Sequence, residues 1–222
     1  MLDTSTLVRT RNGLYVRLIE EKGKLIGLGP VLKLPIRADS VVLDLGAHIG
    51  GFTKVALDKG AATIIAVEAH PSTFEVLQYN FKDEPRVKCI HGAIVADTYD
   101  KEYATLYLST RVNTTLACSS MFPKTSGYVS IQVPIIRIGT LLKDVTVIKC
   151  DIEGAEYLLE IWDNLPNSIK AVAIDFHSYA SIANWQDAAE NIIEALRKQG
   201  FSGFNPINFN SGWGSNGAWY RS

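Results

Sequence analysis

Short apolar runs recur along the chain, and most are followed by segments whose apolar residues lie three or four positions apart. Short unbroken apolar runs are typical of strands that are buried on both faces of a parallel sheet. Helical spacing after such a run is typical of the crossover helix that a parallel connection needs. The pattern therefore predicts an α/β fold, with buried strands at residues 41–43, 63–67, 87–94, 145–149 and 171–176.

The predicted helices have apolar stripes and boundary signals. One helix begins near Phe52, and a second begins at Pro71, where the missing backbone N–H removes no hydrogen bond. A third follows the segment that ends at residue 156, and a fourth spans about residues 182–199 and ends at Gly200. The residues predicted to face the core are Phe74, Leu77, Phe81, Leu158, Ile161, Trp162, Trp185, Ala189, Ile192 and Leu196.

Antiparallel pairs complete the predicted fold. The pairs are residues 14–20 with 25–28, 103–109 with 128–138, and 201–209 with 218–221. Pro134 indicates an edge strand, because proline cannot donate to a sheet ladder. The pattern predicts a Rossmann-like α/β fold with a seven-stranded, mostly parallel sheet that contains one antiparallel strand. Residues 1–38 are expected to form an N-terminal extension with a hairpin after an irregular start, and residues 39–222 form the main domain.

The first buried strand leads directly into a glycine-rich turn. Residues 44–51 are Asp-Leu-Gly-Ala-His-Ile-Gly-Gly and lie between this strand and the first helix. Strand, glycine turn and helix form the local structure that binds nucleotide-like ligands at the carboxyl edge of a parallel sheet. Glycine lets the backbone approach a ligand closely, and the helix directs free N–H groups at the same point. The alternative interpretation is a glycine turn that binds no ligand.

The spacing of the turn favours S-adenosylmethionine over a dinucleotide. The dinucleotide fingerprint G-x-G-x-x-G needs a glycine where the pyrophosphate passes, and this chain has His48 there. Glu68 follows Gly46 by 22 residues and ends the next apolar run. A carboxylate at that position can accept hydrogen bonds from two ribose hydroxyls. We therefore expect S-adenosylmethionine to be the cofactor.

Several acidic residues and a histidine follow the predicted strands at the same edge of the sheet, namely Asp44, Glu68, Asp151, Asp175 and His177. Such a group is unfavourable unless it holds hydroxyls, amines, a cation or a transferred proton. We predict that Asp151, Asp175 and His177 are catalytic, with Asp151 facing the methyl group and Asp175 orienting His177 as a base. Asp44 either orients the turn or reaches the methionine amine.

Other interpretations of these residues stay open. Asp151, Asp175 and His177 could bind a divalent cation, although this is not favoured, and His177 could instead be a structural histidine. Glu153 and Glu156 lie three positions apart at a predicted helix start, so they share a face. Acidic residues are also favoured at a helix N-terminus for electrostatic reasons alone.

Composition and charge narrow the range of partners. The 222 residues include 22 Lys and Arg and 23 Asp and Glu, which leaves no basic surplus for nucleic acid or an anionic membrane. The sequence has no apolar run of membrane-spanning length and no signal-peptide pattern, so a cytoplasmic protein is expected. Cys89, Cys118 and Cys150 are expected to be reduced rather than to bind zinc.

Three segments of the chain resemble the FkbM-type methyltransferase family. They are VVLDLGAHIGGFTKVALDKGA, IIAVEAHPSTFEVLQYNF and VTVIKCDIEGAEYLLE, and the most specific feature is K-x-D-x-E-G-x-E at residues 149–156. The resemblance implies a Rossmann-like methyltransferase domain that uses S-adenosylmethionine to methylate a hydroxyl of a sugar or another small metabolite. The chain departs from the family pattern at Ala69, at residues 138–140 and at Asp175.

At matching positions, the resemblance implies cofactor contacts from Asp44, Gly46, Ala47, Glu68 and Asp151. Further contacts are predicted at His48, Gly50, Ala69 and Ala93, while the side chains of His48, His70 and His91 are expected to be structural. The expected partner is a small-molecule or carbohydrate acceptor, with no membrane and no nucleic acid. Methylation of nitrogen or RNA, and a non-catalytic cofactor-binding domain, are the alternatives. A dinucleotide-dependent oxidoreductase is disfavoured by His48 and by the acidic residues after the strand at 145–149.

Overall fold

The computed structural model describes residues 2–11, 13–17, 32–109, 120–122, 127–178, 184–204 and 214–221. The strands are β1 (Leu7–Arg9), β2 (Tyr15–Arg17), β3 (Val41–Leu45), β4 (Thr63–Glu68), β5 (Val87–His91), β6 (Ala93–Val95), β7 (Tyr103–Ser109), β8 (Tyr128–Arg137), β9 (Val147–Cys150), β10 (Ala171–His177), β11 (Ser202–Phe204) and β12 (Gly214–Tyr220). The α-helices are α1 (Gly51–Asp58), α2 (Pro71–Phe81) and α3 (Trp185–Lys198). Short 3₁₀ helices lie at Thr4–Thr6, Ile138–Leu141, Ala155–Leu158 and Glu160–Asp163.

Among the described residues, seven strands form one main sheet in the order β11-β12-β10-β9-β3-β4-β5. Parallel pairing joins β3 to β4 and β9, β4 to β5, and β9 to β10. By contrast, β12 is antiparallel to both β10 and β11. The predicted α/β fold, with a seven-stranded, mostly parallel sheet and one reversed strand, is therefore confirmed.

The strand order places a topological switch between β3 and β9. From β3 the chain moves outward through β4 and β5, and it returns on the other side of β3 as β9. In open α/β sheets, ligands bind in the crevice at the carboxyl ends of two such strands. Leu45, the last residue of β3, pairs with Cys150, the last residue of β9. The glycine turn and Asp151, which follow these two residues, therefore lie side by side.

The helices bury the apolar stripes that the sequence indicates. In α3 the buried predicted residues are Trp185, Ala189, Ile192 and Leu196. In α2, Leu77 and Phe81 are buried and Phe74 is half-buried. Burial of this apolar area is the main source of stability for the sheet and its helices.

The segment after β9 is not the predicted α-helix, because two 3₁₀ helices occupy it. Leu159 lies between them with an extended backbone (φ −89°, ψ 112°), which ends the first helix after one turn. Leu159 is also 3% exposed, whereas Leu158 is 48% exposed. The residue in the inner position is therefore one later than helical spacing predicts, while Trp162 is buried as expected.

A separate three-stranded sheet has the order β6-β8-β7. It begins where the predicted strand at residues 87–94 divides into β5 and β6. Because β8 is the middle strand, the prediction that Pro134 marks an edge is wrong. Pro134 pairs with Tyr103, the first residue of β7, and pairing with β6 begins only at Ile135. The missing N–H thus lies where one ladder ends and the other begins.

The N-terminal hairpin that the structure describes pairs β2 with an earlier strand, β1. β2 lies within the first predicted strand but pairs with β1, in a region that was expected to be irregular. The predicted partner at residues 25–28 lies outside the described residues. Asn80 of α2 accepts from the backbone N–H of Tyr15 at 2.7 Å and donates to its carbonyl oxygen at 3.1 Å. The hairpin is therefore bound to α2, which connects two strands of the main sheet.

The described cysteines are free thiols that differ in burial. Cys150 is fully buried in β9, and Cys89 is half-buried in β5, where burial raises the pKa of its thiol to about 11. Cys118 lies outside the described residues. Within the described part of the chain, none of the helices has the length and apolar character needed to cross a membrane.

Candidate active site

The glycine turn packs directly against the end of β9. Gly46 has a left-handed backbone (φ 72°), and a Cβ there would collide with the backbone oxygen of Asp151. The N–H groups of Gly46 and Ala47 both donate to the carbonyl oxygen of Val67, at 3.0 and 2.9 Å. The sequence indicates that a ligand approaches Gly46 closely, but in the structure the backbone of Asp151 makes this close approach. As a result, the turn is fixed to β4 and β9 together.

The second half of the turn packs against α2. Gly50 is left-handed (φ 95°), and a Cβ there would collide with the ring of Phe81. Asn80 donates to the carbonyl oxygen of Ile49 at 2.9 Å. His48 also has a positive φ of 54°, which is uncommon for a residue other than glycine. The turn is therefore held in its shape by packing and hydrogen bonds on several sides.

Glu68 ends β4 beside the turn and joins two loops. Its Oε2 accepts from the backbone N–H of His48 at 2.9 Å, and its Oε1 accepts from that of His70 at 2.7 Å. Burial raises the pKa of Glu68 to about 7, although these hydrogen bonds and Lys149 favour the charged form. A carboxylate oxygen that accepts one N–H can still accept from a second donor, such as a hydroxyl.

Ala69 and Ala93, both predicted as cofactor contacts, lie where the main sheet meets the small sheet. Ala93 is buried in the apolar cluster of the small sheet, and Ala69 packs against the same cluster. The Nε2 of His91 lies 3.1 Å from the carbonyl oxygen of Ala69. His70 precedes α2, and its Nδ1 accepts from the backbone N–H of Thr73 at 3.3 Å. These contacts agree with structural roles for both histidines.

A buried ion pair lies beneath the turn. Asp44 has no exposed surface, and its Oδ2 accepts from the hydroxyl of Thr53 at 2.7 Å. The Nζ of Lys149 lies 3.3 Å from Asp44 Oδ1 and donates to the carbonyl oxygen of Gly46 at 2.7 Å. Burial disfavours the ammonium, but Asp44 and Asp151 outweigh it and raise the pKa of Lys149. Asp44 thus supports the turn through Lys149, and its contact with the cofactor stays a prediction.

Four side chains meet beside the turn, at the carboxyl ends of β9 and β10. The Nδ1 of His177 lies 3.1 Å from Glu156 Oε1, which also accepts from the backbone N–H of His177 at 2.8 Å. On the other side of the ring, Nε2 lies 3.6 Å from Asp151 Oδ1 and 3.9 Å from Glu153 Oε2. The structure brings Asp151 and His177 together as predicted, and it adds Glu153 and Glu156.

The carboxylate bonded to Nδ1 of His177 is Glu156, where the sequence predicts Asp175. Glu156 is fully buried, and its Oε2 accepts from the backbone N–H of Gly154 at 2.9 Å. The left-handed Gly154 (φ 99°) begins the 3₁₀ helix and directs Glu156 inward. The E-G-x-E run contains this signal, since a glycine two positions before an acidic residue permits such a turn.

His177 is positively charged at neutral pH. Burial disfavours its charge, but the hydrogen bond to Glu156 and the charges of Glu156, Glu153 and Asp151 prevail and raise its pKa to about 10. An imidazolium cannot accept a proton, which argues against the predicted base role of His177. Burial and the charge of Asp151 raise the pKa of Asp175 to about 6.

We expect His177 to make stability depend on pH on the alkaline side. Its pKa is higher in the folded protein than its ordinary value of 6.5, so stabilisation is complete below pH 6.5 and is lost as pH rises through about 10. Urea unfolding of the wild type and His177→Gln at about pH 6, 8 and 10 measures this effect. The difference in free energy of unfolding should shrink at higher pH, and a constant difference would contradict the raised pKa.

One oxygen of Asp151, one oxygen of Glu153 and Nε2 of His177 lie within 4.8 Å of one another. Within the described residues this is the group suited to a metal ion, and it contains Glu153 where the sequence alternative has Asp175. A ligating nitrogen must be unprotonated, so a metal ion would have to displace the proton that the surrounding carboxylates hold on His177.

The small sheet reaches this cluster through Ser120. The backbone of Ser120 exchanges two hydrogen bonds with Tyr107, at 2.8 and 3.2 Å, and its hydroxyl donates to the carbonyl oxygen of Glu153 at 2.8 Å. The connection between β7 and β8 otherwise lies largely outside the described residues.

Comparisons with known proteins identify a family and a fold. The model of the FtsJ-like methyltransferase family matches residues 23–153, which is more than half of the chain. No curated protein matches the chain significantly. Precorrin-6y C5,15-methyltransferase from Geobacter metallireducens GS-15 is 12% identical, with a TM-score of 0.52 over 100% of this chain and 98% of that chain. PH0793 from Pyrococcus horikoshii, described as a transferase, is 15% identical, with a TM-score of 0.53 over 98% of this chain and 73% of that chain. At these identities, the two structures show a shared fold.

Proposed function

The chain belongs to the FtsJ-like methyltransferase family, and we propose that it transfers a methyl group from S-adenosylmethionine to a hydroxyl of a sugar or another small metabolite. Family membership confirms the predicted enzyme class, a methyltransferase. The observation that carries the proposed cofactor is the position of Glu68, whose carboxylate is fixed beside a preformed glycine turn at the topological switch.

Glu68 is the residue proposed to bind the cofactor ribose. Its two backbone hydrogen bonds orient the carboxylate before a ligand arrives, which reduces the entropy lost on binding. Gly46, Ala47 and His48 form the adjacent turn, where the sequence predicts further cofactor contacts. Asp151 lies next to the same turn, which is where the methionine part and the reacting methyl group would be placed.

When bound, S-adenosylmethionine supplies a methyl group on a sulfonium; transfer forms a C–O bond, breaks the C–S bond and leaves a neutral thioether. Asp151 lies between two cations, with Oδ2 3.5 Å from Lys149 Nζ and Oδ1 3.6 Å from His177 Nε2. These contacts orient the carboxylate so that it can accept a hydrogen bond from the acceptor hydroxyl. We assign Asp151 to accepting the hydrogen bond from that hydroxyl, and His177 to orienting the Asp151 carboxylate.

Asp175 is the proposed acceptor of the hydroxyl proton. It follows Ile174, which pairs with Cys150, so it lies one position past that pair, as Asp151 does on β9. With a pKa of about 6, Asp175 is ionised at neutral pH, and its pKa is close to the operating pH that favours proton transfer. This assignment keeps all three predicted catalytic residues and gives the base role to Asp175 in place of His177.

The charge of this region supports a neutral acceptor over RNA. The described residues that meet there carry four carboxyl groups and two cations, namely Asp151, Glu153, Glu156, Asp175, Lys149 and His177. A phosphodiester backbone binds through basic side chains and is repelled by such a surplus of carboxylates. Hydroxyl-rich small molecules donate hydrogen bonds to carboxylates, which favours a sugar-like acceptor.

The resemblance to FkbM-type methyltransferases is part of the proposal. Its most specific feature is the run from Lys149 to Glu156, and the first and last residues of this run both make buried hydrogen bonds. The family model establishes the coarser assignment to a methyltransferase family. The finer resemblance adds the expected class of acceptor, a sugar or small-metabolite hydroxyl.

An acceptor screen with methyl-labelled S-adenosylmethionine tests this function. We expect label in a sugar or other hydroxyl compound, and none in RNA or in amines. Label in RNA or an amine would contradict the proposed acceptor class, but it would agree with the assignment as a methyltransferase. If no compound is labelled although the protein binds S-adenosylhomocysteine, the alternative of a non-catalytic cofactor-binding domain is favoured.

We expect cofactor affinity to depend on the ionisation of Glu68. Ribose hydroxyls donate to the ionised carboxylate, and its pKa is about 7, so affinity for S-adenosylhomocysteine should rise from about pH 6 to about pH 8. Glu68→Gln should weaken binding by about 1–3 kcal/mol at pH 8 and remove this pH dependence. Calorimetric titrations measure both effects, with Glu190→Gln on the exposed face of α3 as the control. Unchanged affinity in folded Glu68→Gln would exclude Glu68 from the ribose site.

A further inference from the structure

We propose that Lys149 is a positioning residue that couples the cofactor-binding turn to Asp151, an inference that rests on the proposed function. Its side chain is 9% exposed and contacts oxygens from both parts of the site. The Nζ lies 2.7 Å from the carbonyl oxygen of Gly46 and 3.3 Å from that of Leu45. It also lies 3.3 Å from Asp44 Oδ1 and 3.5 Å from Asp151 Oδ2.

Lys149 binds the backbone of the turn in addition to neutralising Asp44. The shortest of the four distances joins Lys149 to the carbonyl oxygen of Gly46. The carbonyl group of Gly46 and the N–H group of Ala47 belong to the same peptide, and this N–H donates to the carbonyl oxygen of Val67 in β4. Rotation of this peptide would move both groups and the backbone that leads to the N–H held by Glu68. Lys149 therefore fixes a peptide plane on which the proposed ribose site depends.

The contact with Asp151 extends this restraint to the acceptor side. The backbone N–H of Asp151 donates to the carbonyl oxygen of Leu45 at 3.0 Å, and the Lys149 ammonium contacts the same carbonyl oxygen. Lys149 is opposite Asp44 in the β3–β9 register, so the ammonium lies directly between the two strand ends. Any displacement of the turn would therefore be transmitted to Asp151 through one buried cation.

The test removes the charge pair together, because Lys149→Met alone would leave Asp44 charged and buried. S-adenosylhomocysteine is titrated into the wild type, Asp44→Asn, the double variant Asp44→Asn/Lys149→Met and the surface control Lys170→Met. We expect the control to bind like the wild type and the double variant to bind about tenfold or more weakly than Asp44→Asn. Equal affinities for Asp44→Asn and the double variant would overturn the inference. If the wild type itself does not bind, the proposed function fails instead.

A second measurement separates coupling from loss of structure. Asp151→Asn is introduced into the wild type and into the Asp44→Asn/Lys149→Met background, and affinity for S-adenosylhomocysteine is compared. We expect Asp151→Asn to change affinity when Lys149 is present and to have a smaller effect in its absence. The same effect in both backgrounds would overturn the coupling. If the double variant does not fold, Lys149→Arg is used, since its planar group keeps the charge but not the four contacts. Wild-type affinity in folded Lys149→Arg would also overturn the inference.

Discussion

Gly46→Ala is expected to lower the free energy of unfolding by about 3 kcal/mol or more and to abolish detectable cofactor binding. A side chain at this position is unfavourable for two reasons. The backbone has a φ of 72°, and the added Cβ would collide with the carbonyl oxygen of Asp151. Relief of that collision requires β3 and β9 to separate where the cofactor is proposed to bind. Urea unfolding and titration with S-adenosylhomocysteine measure the two effects.

Gly60→Ala is the matched control. Gly60 also has a positive φ, 89°, but a Cβ there would have no neighbour within 4 Å. Its substitution should therefore show backbone strain alone, about 1 kcal/mol, with cofactor binding unchanged. The difference between the two variants measures the close approach of the turn to β9. Equal losses of stability would contradict that approach.

Asp151→Asn is expected to lower the rate of methyl transfer by about 100-fold or more while the protein stays folded. The carboxylate lies between the ammonium of Lys149 and the imidazolium of His177, and the amide would lack its charge. The acceptor hydroxyl would then lose a charged hydrogen-bond partner, and Lys149 and His177 would lose an anion. The measurement compares single-turnover rates at saturating S-adenosylmethionine, with the acceptor found by the labelling screen.

Asp163→Asn provides a control for removal of an acidic charge from a neighbouring segment. Asp163 is exposed and ends the second 3₁₀ helix after β9. Its substitution should leave the rate unchanged. Turnover of folded Asp151→Asn at the rate of the wild type would show that Asp151 does not hold the acceptor. A loss of rate that matches a loss of folded protein would assign Asp151 a structural role.

The main sheet could be predicted because its strands are buried on both faces. Unbroken apolar runs mark β3, β4 and β9, and helical spacing after them requires parallel crossovers. The segment after β9 could not be predicted in the same way. Its apolar residues fit helical spacing, but the extended Leu159 takes the inner position and leaves Leu158 exposed. Tertiary burial decided the conformation there, not local periodicity.

The glycine turn and Glu68 could be identified from the sequence because the spacing of 22 residues from Gly46 to Glu68 is typical of nucleotide-binding α/β folds. The contacts of Lys149 and Glu156 depend on strand register and on a left-handed glycine, and neither can be obtained from spacing. One signal was available, since Lys149 is the polar residue with a full charge within the buried run at residues 145–149. A lysine in such a position needs buried oxygen partners, which points to a network at the strand ends.

The most direct test of the cofactor assignment is a pair of calorimetric titrations of the wild-type protein, one with S-adenosylhomocysteine and one with NAD. The turn has His48 where a dinucleotide needs glycine, and Glu68, which accepts from the backbone N–H of His48, is proposed to bind the ribose hydroxyls. We expect S-adenosylhomocysteine to bind at one site with a Kd on the micromolar scale, about −8 kcal/mol, and NAD to show no binding. Binding of NAD without binding of S-adenosylhomocysteine would contradict the proposed site.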